Sequence, residues 1–227
     1  RSGSGKTSIT LALSALLARE EKTQTFKVGM DYIDPSYLTA ASGRPCRNLD
    51  SFVMDAATTR NIFSYGCCGA DLALVEGVRG LYEGAEAIGD AGSTASVAKT
   101  LGLPVVLIVS ARSITRSAAA IVRGFQAFDP KIRIAWVILN HVKGNSHKEK
   151  AVAAIEHFCK VPVIGAIPRM GEMELAMRHL GLLPFREGER SRDFRRRIDV
   201  ITQIIGDHVD LDRFRSLMKE YQAAKGR

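Results

Sequence analysis

Arg1-Ser2-Gly3-Ser4-Gly5-Lys6-Thr7-Ser8 opens the chain, and the reading of this stretch decides the fold. Gly3 and Gly5 let the backbone curl so that successive N–H groups point at one anion. Lys6 would add positive charge against the β- and γ-phosphates of ATP, and the Thr7 hydroxyl would face Mg²⁺. Ser4 and Ser8 complete the phosphate-binding P-loop. Ile9, Leu13, Leu16 and Leu17 follow at helical spacing, so the loop opens a helix whose N-terminus favours anions. A flexible Gly/Ser turn is the bland alternative, and Gly-Lys-Thr running straight into an amphipathic helix weighs against it. A P-loop follows a buried strand. That strand and the loop's first glycine are expected upstream of Arg1, so the chain reads as a fragment.

Composition sets the class. At 227 residues and 46% hydrophobic residues the chain is long enough for one large α/β domain with a proper core. No stretch is long enough to span a bilayer and no signal peptide is seen, so a cytoplasmic protein without membrane association is expected. Cys46, Cys67, Cys68 and Cys159 form no Cys-x-x-Cys pair and read as buried free thiols in a reducing compartment. The formal charge of +8 implies an anionic partner. Nucleic acid is not expected, because the basic residues do not interleave with aromatics.

Further along, apolar runs alternate with helical patterns. Phe26–Met30 reads as a strand ending at Asp31, and Asp34-Pro35 as the N-cap and first residue of a helix. Asp31, just past a strand, lies where parallel sheets bind ligands and would hold Mg²⁺ or a water of its shell. Gly43–Asp50 is a loop in which Arg44 and Arg47 would grip carboxylates or phosphates, although each singly fits a solvated surface. Asp50 would cap the next helix, with Phe52, Val53, Ala56, Ala57 and Ile62 apolar. Asp71–Val75 is a strand running into Glu76, the expected second anchor for Mg²⁺. Three glycines within Gly77–Gly84 suggest a mobile loop over a site. Ser93 and Thr94 would open a helix, as an anion site or as an ordinary cap.

The remaining strands are Pro104–Val109, Ile132–Leu139 (ending at Asn140) and Val161–Ile167, closed by Pro168-Arg169. Between the first two of these, Ile121, Val122, Phe125 and Phe128 give a helix its apolar face. Ser146 and Glu149 read as a capping box. Eight Lys/Arg against two Asp/Glu between Arg112 and Lys150 concentrate the positive charge there. Glu172–His179 looks helical. The arginines between Arg186 and Arg197 read as a solvated or docking face. The fold class is therefore α/β: a P-loop NTPase with a mostly parallel sheet flanked by helices and its first strand absent. Residues 1–206 are expected to form an ATP-dependent synthetase domain, and 207–227 a helical tail or linker.

Lys27–Pro35 (Lys-Val-Gly-Met-Asp-Tyr-Ile-Asp-Pro), Gly43–Asp50, Glu76–Gly84, Gly92–Ala95 and Val137–Asn140 together resemble the cobyrinate a,c-diamide synthase family over nearly the whole chain. Val78–Gly84 and Met177–Leu182 look more like its nickel-sirohydrochlorin branch. The resemblance implies a dethiobiotin synthetase-like fold. It also implies ATP- and Mg²⁺-dependent amidation of the a and c acetates of an anionic tetrapyrrole through an acyl phosphate. Within it, Lys6, Asp31 and Glu76 would be catalytic and Thr7, Asp31 and Glu76 metal-binding. Asn140, Pro168 and Arg169 would join the P-loop around ATP. Tyr32, Asp34, Arg44, Arg47, Arg79, Tyr82, Ser93, Thr94 and Arg112 would face the substrate. The family carries a C-terminal glutaminase that supplies ammonia; no such segment is seen here, so the tail is expected to lead toward one or toward a separate partner. A homodimer is left open. The alternatives are the cobyrinate enzyme itself, dethiobiotin synthetase, which lacks the Asp31–Pro35 and Gly43–Asp50 stretches, and a regulatory ATPase of the partitioning type. An ATPase of that type usually carries an extra lysine early in the P-loop, which is not seen here.

Overall fold

The computed structural model describes residues 4–170 and 192–225. Two three-stranded parallel sheets organise it, and each belongs to its own compact unit. The first unit holds α1 (Lys6–Leu17), β1 (Thr23–Val28), α2 (Ile33–Ser42), β2 (Arg47–Leu49), α3 (Ala56–Cys67), β3 (Leu72–Glu76) and α4 (Thr94–Leu101). Its strand order is β2-β1-β3, with both pairings parallel.

β1 is the central strand of that unit, and all six of its residues are buried. Its side chains alternate between two faces. Thr25 and Lys27 look toward α1 and α2, where the Thr25 hydroxyl lies 3.4 Å from that of Ser42. Phe26 and Val28 look the other way, into a core with Leu49 and Val97. Phe26 also packs at a 4.9 Å ring separation on Phe63 of α3. Gly66 permits that approach: a Cβ there would stand 2.7 Å from the Phe26 ring. α1 is buried on most of its circumference, including Ile9, Leu13, Leu16 and Leu17 as their spacing predicts.

In the second unit, β4 (Val105–Ser110), β5 (Ile134–Val142) and β6 (Val163–Pro168) pair in parallel in that order, with α5 (Arg116–Phe128) and α6 (Gly144–Cys159). β5 continues beyond its apolar run through Asn140 and His141 to Val142. Two helices close the described chain, α7 (Arg192–His208) and α8 (Leu211–Lys225). The expected boundary at residue 206 falls inside α7. Beyond it the chain is packed rather than loose: Val209 bridges to Gly165, and Phe214 meets Trp136 edge-on at 5.9 Å. Asp210 Oδ1 accepts from the Arg213 N–H and so starts α8.

Several local expectations are corrected. α2 begins at Ile33 rather than behind an Asp34 cap, because Asp31 Oδ1 already accepts from the N–H groups of Ile33 and Asp34. α3 is capped by Asp55, whose carboxylate accepts from the Thr58 N–H, whereas Asp50 accepts from the Phe52 N–H within a turn. Phe52 and Val53 are accordingly exposed. α5 buries Ala118, Ala119 and Val122, leaving Ile121 and Phe128 exposed. α6 starts at Gly144, ahead of the expected Ser146–Glu149 box, and it is His147 Nδ1 that accepts from the N–H of the Lys143 N-cap. Cys159 is buried but Cys68 is exposed, so the thiols are free without all being interior. The expected helix Glu172–His179, the Met177–Leu182 motif and Arg186 lie outside the described residues.

Candidate functional site

Gly5 stands at φ +91°, a left-handed conformation that suits glycine, and its carbonyl accepts the first helical hydrogen bond from Ile9. The turn therefore delivers Lys6 and Thr7 as the first two residues of α1. The Thr7 hydroxyl donates to Glu76 Oε1 at 2.7 Å and lies 3.2 Å from Asp34 Oδ2. A hydroxyl has one hydrogen, so the shorter contact takes it.

Lys27 completes the cluster. It is the register partner of Glu76 in the neighbouring parallel strand, so both side chains leave the sheet on one face. Its ammonium donates to Glu76 Oε1 at 3.0 Å and to Asp34 Oδ2 at 2.5 Å, and stands 3.9 Å from Asp31 Oδ2. Only 5% of the Lys27 side chain and 1% of that of Glu76 reach solvent, so the charges have little access to water and must neutralise one another. Burial pulls the Lys27 ammonium down, but Glu76 and Asp34 together outweigh it and hold its pKa above the ordinary lysine value. Burial pushes the Glu76 carboxyl up, with the Lys27 charge pulling against it. Lys6 is lowered, first by burial, with Glu76 opposing. Tyr37, under the same cluster, is pushed up to about 12 by burial and then by Asp34.

Glu76 Oε2 is buried without a hydrogen-bond partner. An orphaned carboxylate oxygen beside a P-loop threonine is the donor pair that Mg²⁺ takes in nucleotide sites, so these residues fit that ion. Among the described residues no group of three His, Cys, Asp or Glu side chains is placed to hold a metal alone. Mg²⁺ there would take its other ligands from phosphate and water.

The structure divides the remaining candidates. Asp31 spends one oxygen on the start of α2, and its carbonyl, with that of Gly29, accepts from Asn48 Nδ2. Asp34, expected to face substrate, is the carboxylate joined to Lys27. Arg44 turns to the end of α3. Its guanidinium donates to the carbonyls of Gly66, Cys68 and Gly69 and to Gln24 Oε1. Arg47 lies over the Tyr65 ring at 4.9 Å. Ser93 caps α4 by accepting from the Ser96 N–H, and Thr94 exchanges hydrogen bonds with the backbone of Val78. Arg79 is exposed at φ +47° in the loop after β3, and Tyr82 is half-buried in the same loop. Ser4 and Ser8 are buried beside Gly5; Gly3 lies outside the described residues.

Asn140, Pro168, Arg169 and Arg112 belong to the second unit. Asn140 is buried, its Oδ1 accepting from the His141 N–H. Pro168 ends β6, Arg169 donates its N–H to the Val142 carbonyl, and Arg112 is exposed after β4. Lys27 is the residue that site reasoning from sequence missed. Its signal was a charge set between the apolar Phe26 and Val28 in a strand buried throughout.

The family model described as the CobQ/CobB/MinD/ParA nucleotide binding domain matches residues 1–183. A protein of Methanosarcina acetivorans named cobyrinate a,c-diamide synthase is 52% identical over 221 residues, covering 94% of this chain and 44% of its own. The protein of that name from Methanosarcina barkeri is 48% identical, covering 99% and 47%. The chain thus spans about half the length of the curated relatives it matches. Among solved structures, the MinD cell division protein of Aquifex aeolicus superposes with a TM-score of 0.51 at 19% identity, covering 91% of this chain and 94% of that one. Likeness at that identity speaks for the fold alone. Among the described residues no helix is long and apolar enough to cross a membrane.

Proposed function

The chain belongs to the CobQ/CobB/MinD/ParA nucleotide binding domain family, and from that premise we propose that it is the synthetase portion of an enzyme that amidates the a and c acetates of a tetrapyrrole at the expense of ATP. The observation that carries the reading is the cluster of Thr7, Glu76, Lys27 and Asp34 around the start of α1. It combines a phosphate-binding helix start with a buried carboxylate that has one oxygen to spare. The names of the relatives supply the acceptor class.

In this mechanism an acetate oxygen of the substrate attacks the γ-phosphorus of ATP. The new O–P bond replaces the bond to ADP, which leaves with the electron pair. Ammonia then attacks the acyl carbon, the phosphate leaves with the C–O pair, and the nitrogen loses a proton to give the carboxamide. Phosphorylation is needed because hydroxide is a poor leaving group and phosphate a good one. Lys6 and the N–H groups at the start of α1 hold the transferring phosphoryl group. Thr7 and Glu76 would hold Mg²⁺, which when bound neutralises phosphate charge. Lys27 offsets Asp34 and Glu76, so that an incoming acetate does not meet two uncompensated carboxylates.

Ammonia is proposed to come from glutamine, through a glutaminase segment for which the greater length of the relatives leaves room. For the macrocycle, the Val78–Gly84 loop supports nickel-sirohydrochlorin. The second reading is cobyrinate, favoured by the relatives' names.

The test uses the intact polypeptide with Mg·ATP and ammonium chloride or glutamine. ADP release and substrate mass are followed with each macrocycle separately. Conversion of carboxylate to carboxamide on the nickel compound alone supports the first reading. Conversion of cobyrinate alone moves the protein to the second. ADP release with neither substrate changed refutes amidation and favours a regulatory ATPase.

A further inference from the structure

Three loops leave the C-terminal ends of β1, β2 and β3, and they carry large apolar side chains into solvent. Met30 and Tyr32 follow β1 and are 77% and 75% exposed; Phe52 and Val53 follow β2 at 61% and 58%; Ile88, after β3, is fully exposed. The strands are adjacent and parallel, so these loops share one edge of the sheet. They are also tied together. Asn48 of β2 donates to the carbonyls of Gly29 and Asp31, Gly92 donates its N–H to Ser51 Oγ, and Gly29 faces Val78. Apolar surface concentrated in this way marks a binding surface.

We propose that this edge seats the apolar body of the carboxylate-bearing substrate, with Arg79 at its margin to meet a further carboxylate. The inference rests on the proposed amidation and assigns Met30, Phe52, Val53 and Ile88 a part in it. The occupant follows from continuity with the charged cluster. Lys27 is three residues from Met30 along the chain, and Glu76 three from Arg79. A carboxylate brought to that cluster drags its carrier onto the adjoining edge. A flat ring system with acid groups on its rim matches an apolar seat beside an exposed cation. Arg79 is held at φ +47°, a conformation that non-glycine residues keep where the surroundings impose it.

The test is an equilibrium titration of the intact polypeptide with cobyrinate and with nickel-sirohydrochlorin, followed by visible absorption of the macrocycle. The variants are Met30→Ser and the pair Phe52→Ser/Val53→Ser. Phe128→Ser, an equally exposed aromatic on α5, serves as control. The seat variants are expected to weaken macrocycle binding about tenfold or more while their melting temperature holds, because their side chains are exposed. The control is expected to bind as wild type does. Seat variants that bind as tightly as wild type overturn the inference and leave amidation standing. Retained affinity together with a changed sedimentation coefficient also overturns it, by assigning the edge to contact between copies. If wild type binds neither macrocycle, the inference falls together with the function it rests on.

Discussion

Replacing Lys27 with methionine keeps the length of the side chain and deletes its charge, leaving Asp34 and Glu76 without their shared cation. The ammonium lies 3.0 Å from Glu76 Oε1 and 2.5 Å from Asp34 Oδ2, with the lysine side chain 5% exposed. Removing one partner from a buried ion pair costs about 3 to 5 kcal/mol, since the charge left behind is uncompensated. Glu76 limits the loss by taking up a proton, because burial already raises its pKa. The lower end, about 3 kcal/mol, is therefore expected. For a chain of this size that corresponds to a fall in melting temperature of about 6 to 12 °C.

Calorimetry and urea unfolding measure the loss. Combining Lys27→Met with Glu76→Gln removes one of the two stranded charges and leaves that of Asp34, so the double variant is expected to recover part of the stability lost by Lys27→Met. The pH dependence follows from the raised pKa of Lys27. A cation favoured by folding contributes fully below its unfolded value of 10.5, and that contribution is lost as pH rises through the higher folded value. The gap between wild type and Lys27→Met should thus hold at neutral pH and close in the strongly alkaline range. A Lys27→Met protein melting within about 1 °C of wild type, well inside the shift reckoned above, would refute the reasoning, as would strictly additive losses in the double variant.

Three further outcomes are expected. Arg44→Ala removes four hydrogen bonds at the end of α3 and should cost about 1 to 3 kcal/mol in urea unfolding. An unchanged unfolding midpoint with reduced substrate affinity would return Arg44 to the binding surface. Glu76 must be ionised to bind Mg²⁺, and its pKa lies above 4.5; Mg·ATP affinity by titration calorimetry should therefore rise with pH through that raised value, and Glu76→Gln should flatten the profile. A pH-independent wild type argues against Glu76 as the ligand. Iodoacetamide mapped by peptide mass should label exposed Cys68 first. Cys46, pushed up to about 12 by burial, and buried Cys159 should resist; early loss of Cys46 contradicts its placement.

The P-loop, the alternation of strands and helices, and Glu76 at the end of β3 were legible because each rests on local order: a glycine at positive φ, a buried apolar run, a charge where that run stops. The two aspartates after β1 were harder. The rule that ligands meet the ends of parallel strands points to Asp31, the first carboxylate past the strand. Which aspartate enters the cluster depends on where α2 begins. Asp31 accepts the N–H groups of Ile33 and Asp34, the helix starts at Ile33, and the next carboxylate is turned back onto Lys27. Arg44 was illegible for another reason: no pattern near it reveals that the last turn of α3 comes to lie against it.

Lys27 shows what a closer reading of periodicity yields. In Thr23–Val28 every residue is buried, so hydrophobicity alone cannot tell one face of β1 from the other. The period of two can. It sets Thr23, Thr25 and Lys27 on one side and Gln24, Phe26 and Val28 on the other, where Phe26 and Val28 meet Phe63, Leu49 and Val97. A buried strand that carries a lysine beside two hydroxyls on one face needs opposite charge on that side, because an unpaired ammonium in that position would lose its proton. The acidic residues able to supply it are few. They must come from the strand beside it or from the segment directly after it, and those places are taken by Glu76 and Asp34. The pairing of Lys27 with Glu76 therefore follows from the alternation of one six-residue strand and the parallel register of its neighbour, and the pairing with Asp34 from the start of α2 that Asp31 sets.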